Sequence, residues 1–73
     1  MPRYFFHCND GAERLDADGV ELPNLTRARG EAVVFMGERL KDVDGAFWGQ
    51  PAWRMWVTDE SGATVCELNV SGK

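Results

Sequence analysis

One histidine, two cysteines and a scatter of carboxylates are all this chain offers for nucleophilic, acid–base or metal chemistry. His7 and Cys8 are neighbours, and a thiol beside an imidazole is a familiar nucleophile–base combination. Both fall in the aromatic run Pro2–Cys8, which has strand character, and consecutive strand residues point to opposite faces. The pair is therefore split. A zinc site needs about four convergent donors, and Cys8, Cys66 and His7 are the only soft ones. Asp10, Asp16, Asp18 and Glu21 gather near the first turns without the spacing of a calcium loop, so turn formation and solvation account for them. Gly11, Gly19 and Gly62 belong to turns, and no phosphate-binding glycine loop is present. Ser61 and Ser71 have no histidine arranged to activate them. The expectation is a protein that is not an enzyme, with no catalytic residue, no metal ligand and no cofactor. Cys8 and Cys66 read as small apolar fillers rather than a disulfide.

The elements that carry these residues follow from local patterning. Pro2–Cys8 predicts a strand, and Asn9-Asp10-Gly11 a turn into a short second strand near Ala12–Asp16. Asp18-Gly19 marks another turn, and Val20–Pro23 an extended approach to a helix. Asn24 is a good N-cap, and Leu25, Ala28, Ala32, Phe35 or Met36, Arg39 or Leu40, and Val43 form one stripe. This predicts a helix over 25–43, ending before Gly45. Gly30 and Gly37 weaken it, and would suit a close approach of helix to sheet. Residues 46–51 are a loop. Ala52–Thr58 and Ala63–Val70 alternate as strands about the hairpin turn Asp59-Glu60-Ser61-Gly62, and Ser71-Gly72-Lys73 is expected to fray.

The expected fold is a single α+β domain over residues 1–73, ordered β-β-α-β-β. It is a four-stranded, mainly antiparallel sheet with one helix on one face. A net charge of −4 with no basic run argues against general affinity for phosphate backbones or anionic membranes. No apolar stretch is long enough to span a bilayer and no signal peptide is expected, so the cytoplasm is the expected compartment, with both thiols reduced.

One helix covers one face of a sheet and leaves the other open. Alternation assigns Arg3, Phe5, His7, Arg54, Trp56 and Val65 to that open face, with Glu67 among them. Exposed aromatics there either lie under the loop carrying Phe47 and Trp48 or mark a contact surface. The leading expectation is a protein-interaction module, a homodimer in the simplest case, associating through the open sheet face or an edge strand. The competing expectation is a single-stranded nucleic-acid binder in which Phe5 and Trp56 stack bases beside Arg3 and Arg54; the acidic balance and Glu67 weigh against it.

Three segments also carry a family resemblance: Met1-Pro-Arg-Tyr-Phe-Phe-His7, Asp18–Pro23 leading into Leu25–Ala32, and Trp53–Gly62. Together, and in this order, they resemble the small bacterial family catalogued as domain of unknown function 6894. The resemblance spans nearly the whole chain and implies no activity, cofactor or site residue. The chain departs from the family pattern at Asn24, where Asp is expected, at Gly30, where Ala is expected, and in the more polar Cys66–Val70.

Overall fold

The computed structural model describes residues 1–73. Its elements are β1 (Arg3–Asn9), β2 (Glu13–Arg14), β3 (Val20–Glu21), α1 (Leu25–Val43), a 3₁₀ turn (Asp44–Phe47), β4 (Trp53–Thr58) and β5 (Thr64–Val70). All strand pairs are antiparallel, in the order β2-β1-β4-β5 with β3 also on β1. The α+β architecture with one helix is the one the sequence predicts.

The second strand is where expectation and structure part. β2 is only two residues long, and the extended approach to the helix is itself a strand, β3. The two are one interrupted strand. Cys8 opposes Arg14 and Tyr4 opposes Val20, so four steps along β1 face six along its neighbour. The surplus bulges out as Leu15–Gly19, and Asp16 closes the gap. Its carboxylate accepts the Phe6 N–H at 3.1 Å, taking the ladder position that a strand carbonyl would hold. It also accepts from Asp18 N–H and Gly19 N–H at 3.0 and 3.1 Å. Gly19 turns the chain with φ +72, and a Cβ there would lie 2.9 Å from Arg3 Cγ and from the Phe5 ring.

Helix α1 starts where Asn24 Oδ1 accepts the Arg27 N–H at 2.9 Å. Ala28, Ala32 and Met36 are buried against the sheet, with Leu25, Phe35, Leu40 and Val43 partly covered. The close approach is made by the two alanines. Gly30 and Gly37 face open space, so packing does not require them. The helix stops at Asp44, whose φ of +52 lies in the left-handed region, one residue before the glycine expected to fill that role.

Cross-strand rows build the covered face: Phe6–Val57–Cys66 and Cys8–Met55–Leu68, with Trp53 opposite Val70. Phe6 meets Phe35 of α1 edge-on at 5.0 Å between ring centroids. Phe47 is buried in the same core, edge-on to Trp53 at 5.2 Å. Of the two alternatives for the open face, cover by this loop is not the one adopted by Phe47, which packs on the other side, and Trp48 remains 64% exposed. Gly72 lies against Phe47 and Trp48, so the tail is docked rather than frayed at that residue.

Candidate interaction site

On the face away from α1, the structure gathers five of the six residues that alternation assigned to it. Arg3, Phe5 and His7 alternate along β1, and His7 pairs with Trp56 and Phe5 with Thr58 across to β4. Arg54 follows two residues before Trp56 on the same strand. Val65 is the exception. The β4–β5 register shifts between Val57 and Thr58, because Thr58 opposes Thr64 while Val57 opposes Cys66. Val65 is the surplus residue, and it packs against the buried cluster.

The five do not form a bare apolar platform. The Arg54 guanidinium lies 4.3 Å from the Trp56 ring centroid, and the His7 ring is 5.4 Å from the same ring. Arg54 also binds Glu67 at 2.9 Å, and Asn69 donates to the other Glu67 oxygen at 3.0 Å. The Arg54 hydrogen bond, helped by Asn69, holds the Glu67 carboxyl below its ordinary range. Arg3 binds Glu21 at 2.9 Å and the Asp18 carbonyl at 2.8 Å. His7 Nδ1 accepts the Asp16 N–H at 3.0 Å, so the ring proton sits on Nε2 and points at Thr58 Oγ1, 2.9 Å away. Both ring nitrogens are engaged in holding β1 to its neighbours. Phe5 and Trp56 are half-buried by these partners.

The two edges of the sheet differ sharply. One edge is formed by β2 and β3, each only two residues long, with the Asp16 carboxylate bonded to β1 between them. The outer edge of β5 is unpaired along Thr64–Val70, a seven-residue strand. It contains no proline and no lysine, two residues that commonly blunt an edge. A groove of about 180 Å³ runs beside it beneath α1, lined by Arg29, Val33, Cys66 and Leu68 over Met55 and Val57. Val33 is 62% exposed at its rim. Burial pushes the Cys66 thiol upward while Arg29 pulls it down, which keeps it a neutral, apolar wall. Residue typing missed this groove. Its signal was present in the adjacent valines Val33 and Val34, which lie off the buried stripe of α1 and are both exposed.

A second hollow, about 340 Å³, opens on the other side of α1 between Phe6, Cys8, Phe35, Glu38, Arg39 and Met55. Arg39 there is ion-paired with Asp10. No three His, Cys, Asp or Glu side chains are grouped to hold a metal ion. Cys8 and Cys66 are unpaired and lie on strands either side of β4. Strand spacing puts their backbones roughly 10 Å apart, past the ~7 Å limit for a disulfide.

Comparison with known families gives one match. The profile described as Domain of unknown function (DUF6894) matches residues 3–71. The chain belongs to this family. No curated protein and no solved structure matches it. In this family member the matched segment takes in every strand and α1. No helix is long and apolar enough to cross a membrane.

Proposed function

We propose that this DUF6894 protein is a non-catalytic protein-interaction module that engages partners by strand addition at the open edge of β5. The observation that carries the reading is the asymmetry of the sheet. One edge is two strands of two residues each, interrupted by a bulge that the Asp16 carboxylate closes, while the other presents seven continuous residues of strand beside an apolar groove. Such an edge supplies main-chain hydrogen bonds, and a flanking groove supplies selectivity for alternate side chains. The open face, by contrast, is occupied by its own ion pairs and stacking contacts. That engagement also weakens the nucleic-acid alternative. Arg3 and Arg54, its phosphate-binding candidates, are each paired with a glutamate. The commitment of both His7 nitrogens supports a non-catalytic role. The same proposal sets the protein in the cytoplasm, where both thiols stay reduced.

Site-specific photo-crosslinking tests edge against face. A photo-reactive residue replaces Val33 in one variant and Trp56 in another. Adducts from position 33, to itself or to another protein, with few from position 56, are the expected result. Adducts from position 56 alone would shift the interaction to the sheet face and refute the reading.

A further inference from the structure

We propose that the occupant of the β5 edge is a second copy of this chain, joined β5 to β5 about a two-fold axis that passes beside Leu68. The inference rests on the edge reading above and extends it by naming the partner and the register. An edge strand paired antiparallel with its own copy closes both open edges at once, and the closure is symmetric. With the axis perpendicular to the sheet, both α1 helices lie on the same side. The grooves then face each other, and Val33, Cys66 and Leu68 of one copy approach those of the other.

The register follows from elimination. Directly opposed residues in an antiparallel pair share a face, so the axis must pass beside a residue of β5. Centring on Glu67 sets two carboxylates directly opposite each other, which is destabilising. Centring on Cys66 brings the bulged Val65 into the new ladder, where the register with β4 already breaks. Centring on Asn69 overlaps only the end of the strand, which stops at Val70. Centring on Leu68 pairs Leu68 with its copy, Cys66 with Val70 and Glu67 with Asn69, an acceptor already hydrogen-bonded to an asparagine amide within the protomer.

Charge permits the contact although each chain carries −4. The seam itself bears Arg29 and Arg54 against the single Glu67, and Glu67 is neutralised by Arg54 at 2.9 Å. The overlap of five residues per strand with the valine rim is roughly half of the ~800 Å² per partner of a standard interface. An interface below the standard size makes this a weak, concentration-dependent dimer.

Disulfide trapping reads the register. Leu68→Cys and Glu67→Cys are each introduced into a Cys8→Ser, Cys66→Ser background and oxidised with copper phenanthroline. Opposed residues stand about 4.5–5.5 Å apart at Cα, within disulfide reach. Leu68→Cys should become a covalent dimer at least about tenfold faster than Glu67→Cys, since its sulfurs are set opposite each other. Faster trapping of Glu67→Cys overturns the register. Sedimentation of the unmodified protein covers the case in which the serine background does not fold: a concentration-dependent dimer supports the inference, and a strict monomer up to about 1 mM overturns it. A monomer that still yields position-33 adducts to other proteins overturns self-pairing alone and leaves the edge reading standing.

Discussion

Removing the Asp16 carboxylate should destabilise this protein more than any other single change to a surface loop. The side chain receives three backbone N–H groups, from Phe6 at 3.1 Å, Asp18 at 3.0 Å and Gly19 at 3.1 Å. Those of Phe6 and Gly19 are partly buried, and that of Asp18 can turn to water. In Asp16→Ala, stranding the two partly buried donors at about 1–2 kcal/mol each gives a loss of about 2–4 kcal/mol. A chain of this length has about 4–11 kcal/mol in total at 0.05–0.15 per residue, so the midpoint of urea unfolding should fall by at least about a fifth. Asp16→Asn keeps one oxygen acceptor and should lose about half as much. The acidity of the carboxyl gives a second readout. Burial disfavours its charge, but the three N–H donors outweigh that, with His7 nearby, and hold it below the ordinary carboxylate range. A depressed folded-state value means that stabilisation is complete above the unfolded value, near 3.9, and is lost as pH falls through the folded one. The gap between wild type and Asp16→Asn, followed by tryptophan fluorescence in urea, should therefore narrow steadily below about pH 4. A loss under about 0.5 kcal/mol for Asp16→Ala, no more than an ordinary surface substitution, would refute the ladder role of the carboxylate.

The remaining predictions concern the backbone. Gly30→Ala and Gly37→Ala meet nothing within 4 Å and should each raise stability by about 0.5–1 kcal/mol; calorimetry that shows no increase in Tm would mean these positions serve something outside the fold. Gly19→Ala should cost about 1–3 kcal/mol, because φ is +72 and the new Cβ would stand 2.9 Å from Arg3 Cγ; urea unfolding at neutral pH checks it. Asp44→Gly should stabilise by about 1 kcal/mol, since a non-glycine residue at φ +52 is strained; an unchanged unfolding midpoint would count against strain at this cap.

What could be read from residues alone tracks how local the physics is. The helix runs from Leu25 to Val43 as expected because Asn24 caps it through a neighbour three residues on. The β4–β5 hairpin was legible for a similar reason: Asp59 organises its own turn by accepting from Ser61 and Ala63. β3 was not legible, since two residues carry no periodicity, and its partnership with β1 depends on a bulge closed by Asp16 across ten residues of sequence. Val65 was misassigned because one surplus residue in a strand breaks strict alternation, and nothing in Thr64-Val65-Cys66 marks where the register will slip. The side taken by Phe47 was left open because an aromatic in a loop can fold to either side of a sheet, and the choice was made by contact with Trp53.

These misassignments share a consequence for where a partner should be sought. Counting aromatics by face makes the uncovered side of the sheet look like an apolar surface, and the same reasoning asks for a partner to cover it. Yet a cationic side chain lying over an indole removes apolar area from water without any second molecule. Arg54 does this for Trp56 and is fixed in place by Glu67, which in turn is held by Asn69. Side chains can satisfy one another on a face in this way because they are long and mobile. Main-chain groups at an edge have no such recourse: their N–H and C=O are rigid, and only another strand, a side chain such as Asp16 or water can pair them. The edge beyond β1 is broken into two strands of two residues each; the β5 edge runs unbroken for seven residues. The free pairing capacity of this fold is therefore directional and lies in the plane of the sheet, which is why the interaction proposed above is by strand pairing rather than by stacking on the face.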